Sequence, residues 1–422
     1  MRKDTICVQG AYKPKNGEPR VIPIVQSTTF KYDSSKEMGD LFDLKRSGYF
    51  YSRLQNPTCD LAAAKIAMLE GGVAGMLTSS GQAANFYAVF NIASAGDHVV
   101  SSAAIYGGTF NLFNVTMRKL GINFTFVSPT ASEDEIQAAI QPNTKCIFGE
   151  TISNPSLDIM DIETFAKVAH KNGIPLIIDN TFATPINCRP FEFGCDIVTH
   201  STTKYMEGHA STIGGAIVDS GKFDWEQNDK FPGLTTPDES YHGLTYTKDF
   251  GEAAYITKAT AQLMRDLGSI PAANNAWLVN LGLETLHLRM PRHCENAKKV
   301  AEYLKNNEKI TWVKCAMLED DPQHEIAMKY MPNGTCGVVS FGIKGGREAA
   351  TVFMDSLKLA AIVTHVADAR TCCLHPASTT HRQLTDKELK ECGVTPDLLR
   401  FSCGIEDADD IIEDIQQALD KI

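Results

Sequence analysis

The chain lacks any run of the roughly 18 apolar residues that a membrane-spanning helix needs. Its opening, MRKDTICVQGAYK, also lacks the apolar centre of a secretory leader, so the cytoplasm is the expected address. Nor is there an excess of positive charge: 40 Lys and Arg stand against 51 Asp and Glu, a formal net charge of -11. That balance excludes a general affinity for nucleic acid or an anionic membrane, so any anionic ligand must be held by local groups. The cysteines number 12, but none is in Cys-x-x-Cys spacing, which favours reduced, mostly buried thiols over a metal cluster. The adjacent Cys372 and Cys373 would point to opposite faces of a strand. No internal repeat or low-complexity tract is present.

What the chain has is length and alternation. With 422 residues, 43% of them hydrophobic, two or three domains with sizeable cores are expected. Residues 1–60 read as an irregular arm, rich in Gly, Pro and basic residues, of the kind that reaches a neighbouring subunit. Residues 61–258 then alternate apolar runs (AGMLTSS, DHVVSS, FTFVS, CIFGE, IPLIIDN, CDIVTHS and TIGGAIVDS) with helical periodicity, which predicts a mainly parallel sheet covered on both faces. The stretch 220–250 shows no clean period and reads as a functional loop or lid. Residues 259–422 open with helical text interrupted near Pro271 and Pro291. They continue through the short strands ITWVKC, GVVSFGIKG and LLRFSCG, and so form a smaller α+β domain.

In parallel sheets, ligands bind beyond the carboxyl ends of the strands. Those ends carry Ser79 to Gly81, Glu150, Asp179 to Thr181, and His200 to Lys204. Lys204 follows the apolar run DIVTH, where partial desolvation would suit an imine-forming amine; a solvated loop lysine is the alternative. Asp179 ends a run apolar enough to be buried, so its carboxylate calls for a cationic partner such as a protonated ring nitrogen, or caps the turn that follows. These two readings separate on burial.

SSGQAAN, between a strand and a helix, is either a phosphate cradle built on Ser80, Gly81 and Gln82 or an ordinary helix cap. Ser201 and Thr203 offer hydroxyls to the same phosphate, or cap their own turn. Tyr106 can lie over a flat aromatic ligand, or join the core. Tyr51 and Arg53 suit a phosphate or carboxylate. Arg400, inside an apolar strand, needs an anionic partner, either a substrate carboxylate or an acidic side chain. A phosphate, an aromatic ring with a basic nitrogen, and an aldehyde held by a lysine describe pyridoxal 5'-phosphate.

With these residues assembled, the chain resembles the Cys/Met-metabolism family of pyridoxal-phosphate enzymes. The likeness runs over nearly the whole length, through YSRLQNPT, MLEGG, SSGQAAN, IYGGTF, ETISNP, IIDNTFATP, HSTTKYMEGH, HPASTTHRQL and LLRFSCGIEDADDIIEDIQQAL. The resemblance implies the aspartate-aminotransferase-like fold (fold type I), with a mainly parallel seven-stranded large domain and a smaller α+β C-terminal domain. It implies that Lys204 bonds the cofactor as a Schiff base, that Asp179 pairs with the pyridine nitrogen and that Tyr106 stacks on the ring. Ser80, Gly81, Gln82, Ser201 and Thr203 would bind the phosphate, with Tyr51 and Arg53 contributed by the neighbouring subunit of a homotetramer built as a dimer of dimers. Asn154 would lie near the phenolic oxygen, and Arg400 would take the substrate α-carboxylate, with Tyr51, Tyr106 and His365 beside it. His365 stands where an asparagine or serine often helps.

Within the family, YGGTFNLF, the segment PDESYHGLTYTKDFG and the stretch DPQHEIAMKYMPNGTCGVVSFGIKGG resemble the O-acetylhomoserine sulfhydrylases. Gly108 stands where methionine γ-lyases typically carry a reactive cysteine. The implied reaction replaces acetate at Cγ of O-acetyl-L-homoserine by sulfide or a thiol, giving L-homocysteine. Lys204 would take the protons from Cα and Cβ, and Tyr106 would assist. Methionine γ-lyase or cystathionine γ-synthase activity on the same scaffold is the alternative. Beyond the family, a cofactor-free Schiff-base aldolase and a carrier protein remain open.

Overall fold

A computed structural model describes residues 1–379, 382 and 394–422. The end of HPASTTHRQL, apart from Arg382, lies outside the described residues. Each of the seven apolar runs forms a strand: β1 (Ala74–Thr78), β2 (His98–Ser102), β3 (Asn123–Val127), β4 (Thr144–Glu150), β5 (Leu176–Asp179), β6 (Ile197–His200) and β7 (Gly215–Asp219). They make one sheet in the order β1-β7-β6-β5-β4-β2-β3, and β7 alone runs antiparallel to its neighbours. The cause is local. The other connections cross back through helices, whereas β6 returns directly through the loop that carries Lys204, and a direct return forces antiparallel pairing. Strands β5, β6 and β7 are buried at every position, the pattern of a sheet covered on both faces.

The helices that cover this sheet carry their own start and stop signals. Pro57–Glu70 begins with Asn56, whose side chain accepts the Thr58 amide, and ends at Gly71 with φ +84°. Gly81–Phe90 is capped by Ser80 Oγ, which accepts Ala83 N at 3.1 Å. A second sheet of five strands follows the order β10-β11-β12-β9-β8, with β8 (Ile310–Lys314), β9 (Val338–Ile343), β10 (Ala361–Ile362), β11 (Cys372–Leu374) and β12 (Leu398–Ser402). Among the described residues no helix is long and apolar enough to cross a membrane, and the described cysteines are free and buried.

Four expectations need correction. The arm is not wholly irregular: Lys3–Gln9 and Ser35–Phe42 are helices, and Ile6 and Cys7 enter the main apolar core. Helix Ala273–Lys305 runs unbroken through Pro291, because proline removes one N–H whereas this helix packs against Lys3–Gln9 and Pro57–Glu70 on one side and against strands Ile310–Lys314 and Val338–Ile343 of the second sheet on the other. The stretch 220–250 is not a free loop; it buries Trp225, Phe231, Leu234 and Tyr246, with Trp225 stacked on Tyr255 at 5.4 Å. Its first part is anchored by Asn228 to Gly173 O and by Lys230 to Thr144 O, at the amino ends of β5 and β4, the wrong end of the sheet for a lid. Along the long helix, Ala276 to Met290 join the larger core and Cys294 to Leu304 the smaller, so the division between the cores falls within this helix rather than at 258.

Candidate active site

The carboxyl ends of β4, β5 and β6 meet the amino end of helix Gly81–Phe90 and strand β12. Asp179 is the last residue of β5 and is only 9% exposed. The capping reading is met in the geometry, at a position as buried as the other reading requires. One oxygen caps the turn, accepting Thr181 N at 3.0 Å and the Thr181 hydroxyl. The other accepts Asn85 Nδ2 at 3.1 Å, and Asn85 is itself oriented by Thr199 Oγ1, which donates to its Oδ1 at 2.6 Å. Both oxygens of this buried side chain are thus held by neutral donors.

Glu150 is the register partner of Asp179 across β4 and β5. Burial, and then the neighbouring Asp179, push the Glu150 carboxyl well above the usual range. Glu150 Oε1 accepts the Tyr106 amide at 2.6 Å. That fixes Tyr106 at the start of the short helix Gly107–Asn111, with its ring 50% exposed. The ring folds back over Gly108, where a Cβ would lie 2.5 Å from Tyr106 Cε1 and 2.7 Å from Gln82 Nε2.

Gly81 meets the loop after β6. A Cβ on Gly81 would stand 2.6 Å from Ser201 Cβ and 3.0 Å from its Oγ, so only glycine lets these two segments touch. The helix amide end and the Ser201 hydroxyl therefore converge. Thr203 is engaged elsewhere, donating to Gly214 O at 3.1 Å and accepting Gly214 N at 3.0 Å.

Lys204 lies in the same loop and is brought down to about 8, first by burial and then by the Arg400 charge. Its Nζ is 3.4 Å from His365 Nδ1. Arg400, in β12, is buried and reaches Asn154 Oδ1 at 3.1 Å, His365 O at 3.0 Å and Thr364 O at 3.3 Å, while its Nε has no partner. No acidic side chain pairs with it among the described residues, so the structural ion pair considered from sequence is not formed.

Tyr51 and Arg53 are placed apart from this cluster. Arg53 lies over the Tyr51 ring at 5.2 Å and donates to Arg265 O. Both residues are exposed.

Comparison with known proteins adds to this geometry. Residues 4–420 match the model of the Cys/Met metabolism PLP-dependent enzymes. The chain belongs to that family. Among relatives, it is 46% identical over 403 residues to homocysteine synthase of Schizosaccharomyces pombe, covering 95% of this chain and 94% of that one. It is 47% identical over 401 residues to O-acetyl-L-homoserine sulfhydrylase of Corynebacterium glutamicum, covering 94% and 92%. A solved structure from Campylobacter jejuni, described as an O-acetylhomoserine (thiol)-lyase with a pyridoxyl-lysine monophosphate, superposes with a TM-score of 0.96 at 37% identity over the full length of both chains. The metB protein of Corynebacterium glutamicum follows with a TM-score of 0.84 at 34% identity, covering 100% of this chain and 98% of that one.

As a member of this family the chain is a pyridoxal-phosphate-dependent enzyme of fold type I, and the donor set here fits that cofactor. Asp179 is a buried carboxyl group, Gly81 and Ser201 make a cradle that a Cβ would fill, and Lys204 is an amine brought down to about 8. Reading the sequence missed Asn85, Thr199 and Asp368. Asn85 was findable: it stands four residues after Gly81 on the helix that opens the cradle, and so shares its face.

Proposed function

We infer that this chain is an O-acetyl-L-homoserine sulfhydrylase, replacing acetate at Cγ by sulfide to give L-homocysteine. The observation that carries the reading is Lys204 beside a carboxylate-free Arg400, with Asp179 buried at the end of the adjacent strand. The sulfhydrylase and homocysteine synthase names of relatives at 46% and 47% identity support it. Pyridoxal phosphate, when bound, supplies an electron sink for the negative charge left at Cα.

The chain's own residues do the rest. With the cofactor bound, Asp179 would hold a proton on the ring nitrogen, Asn154 would serve the phenolic oxygen, and Tyr106 would stack on the ring. Gly81, Gln82 and Ser201 take the phosphate, with Ser80 capping the helix behind them; Thr203 joins them only by turning from Gly214. Lys204 holds the cofactor in the resting enzyme and, once free, removes the Cα proton and then a Cβ proton; one amine reaches both carbons. Arg400 has its unpartnered Nε and remaining Nη hydrogens for the substrate carboxylate. Tyr51 and Arg53, exposed and apart from Lys204 in one chain, serve the site of a second copy in a homotetramer. The cytoplasm is the proposed location.

Gly108 speaks against the lyase alternative. A cysteine there would displace the Tyr106 ring, since its Cβ alone would stand 2.5 Å from Cε1. The deciding assay supplies O-acetyl-L-homoserine or O-succinyl-L-homoserine with sulfide, cysteine or no thiol, and separately methionine alone. Homocysteine from the acetyl ester and sulfide is the expected product. Cystathionine as the main product, or release of methanethiol from methionine at a comparable rate, would overturn the reading.

A further inference from the structure

Tyr205 follows Lys204 directly, yet its side chain reaches the second sheet. The residue is fully buried, and its hydroxyl oxygen accepts the amide of Gly337, just before β9, at 2.8 Å. Gly337 O in turn accepts the amide of Cys403, just after β12, at 2.8 Å. From there β9 and β12 pair in register, with Ser340 opposite Arg400. A continuous path of fixed contacts therefore runs from the neighbour of Lys204 to the strand that carries Arg400.

The path is held at each step. The Tyr205 carbonyl accepts Arg289 Nη1 at 2.7 Å, so the residue is fixed at its backbone as well as at its tip. His293, one turn further along the same helix, meets the Tyr205 ring at 4.9 Å and 61°, and its Nδ1 donates to Cys403 O at 2.8 Å. A Cβ on Gly337 would stand 2.8 Å from the Tyr205 oxygen, 2.9 Å from His293 Cβ and 3.1 Å from Cys403 O, so glycine alone lets phenol, helix and strand end meet. Burial pushes the phenol well above its ordinary range, so it stays protonated and gives Lys204 position rather than charge.

We propose that Tyr205 is a positioning residue that sets the distance between Lys204 and Arg400, and with it the seat of the substrate between amine and guanidinium. The proposal rests on the reading that Arg400 takes the substrate α-carboxylate and Lys204 serves its Cα. Both groups then act on a single carbon atom and its substituents, so their separation has to match one amino acid. A misplacement of about 1 Å there costs about 100-fold. Lys204 stands in the loop after β6 of the first sheet and Arg400 in the second sheet, so the spacing depends on what ties the two sheets together. Tyr205 makes such a tie at the residue next to the lysine. Ser340 makes another on the arginine side, its Oγ donating to Pro155 O, next to Asn154, at 2.7 Å.

The test is a double-mutant cycle on the loaded enzyme: parent, Tyr205→Phe, Arg400→Gln and the two combined. L-norleucine is the probe, and its Kd is read from the shift of the visible cofactor band. Tyr205→Phe leaves the Gly337 amide buried without its acceptor. The expected result is an unchanged band before the probe is added and a Kd raised roughly tenfold. In the Arg400→Gln background, where binding is already weakened, Tyr205→Phe should change Kd by less than about twofold. Gly337→Ala, which presses on the same oxygen from the other side, repeats the cycle and should show the same dependence on Arg400. The cofactor-free Tyr205→Phe protein should capture pyridoxal phosphate with the parent's pH midpoint, since no charge has changed. A Kd within about twofold of the parent, an equal fold-change in both backgrounds, a shifted midpoint or loss of the band would each overturn the positioning role. A lowered Tm with no change in Kd would do the same, marking the hydrogen bond as structural alone. Parental norleucine binding by Arg400→Gln refutes Arg400 as the partner of the carboxylate, and the spacing falls with it. A parent that forms no homocysteine refutes the proposed reaction instead, and the cycle then still decides the role of Tyr205.

Discussion

The side-chain amide of Asn85 donates to Asp179 Oδ2 at 3.1 Å, from a helix whose first residue, Gly81, touches Ser201. One helix thus serves both ends of the site, its amide terminus facing the phosphate cradle and its second turn holding the carboxylate. Replacing Asn85 by leucine removes a hydrogen bond to a charged group, worth about 2 kcal/mol. Asn85→Leu is expected to retain the fold, checked by circular dichroism, and to bind pyridoxal phosphate at least tenfold more weakly, on the order of 1.4 kcal/mol per factor of ten. Asp179→Asn, which keeps the shape but not the charge, should lose most turnover; near-parental turnover would remove Asp179 from its role.

Gly81 offers a steric test of the cradle. The Cβ of Gly81→Ala would stand 2.6 Å from Ser201 Cβ, so the two loops must separate. Overpacking of this kind costs about 1–3 kcal/mol, and the expected outcome is a lower Tm and a raised Kd for pyridoxal phosphate, measured by calorimetry and by titration of the visible band.

Gly108→Cys tests the placement of Tyr106 in the same manner. The new side chain pushes the ring off its seat, so kcat for sulfide addition should fall while the cofactor band persists. An unchanged kcat would mean that the position of the Tyr106 ring is immaterial.

The pH dependence follows from the buried amine. Lys204 is held near 8, below its ordinary 10.5, so the cofactor-free protein should capture pyridoxal phosphate at a rate that rises with pH and levels off above about 8. Arg400→Gln removes a charge that lowers this value, and the midpoint should move up. The sign for stability is opposite to that of an ion pair. The burial cost is carried by the protonated form below about 8 and disappears as pH rises toward 10.5. Lys204→Met should therefore stabilise the cofactor-free protein most below pH 8, with the gain vanishing above 10.5, as measured by denaturant unfolding.

Much of this architecture was legible because it follows from period and punctuation. IPLIID and CDIVTH are short runs with apolar centres, which fits strands buried on both faces, and their ends then located Asp179 and Lys204. What stayed hidden depended on long-range partners. His200 had no assignable task until its ring met Glu70 Oε1 at 2.6 Å, where Asn180 Nδ2 also donates at 2.9 Å. His209 proves to be local, Nδ1 donating to Glu207 O at 2.6 Å. The order within 220–250 comes from aromatic packing of Phe223, Trp225 and Phe231, which has no sequence period to betray it.

Burial alone does not single out Lys204. Lys258 is also brought to about 8 by burial, but its Nζ donates to Asn91 O at 2.6 Å and Asn91 Oδ1 at 3.3 Å. The most direct measurement is therefore borohydride reduction of the loaded enzyme, followed by peptide mapping. The expected result is a pyridoxyl phosphate group on the peptide containing Lys204 and on no other. Label on Lys258, or on no lysine, would contradict the site.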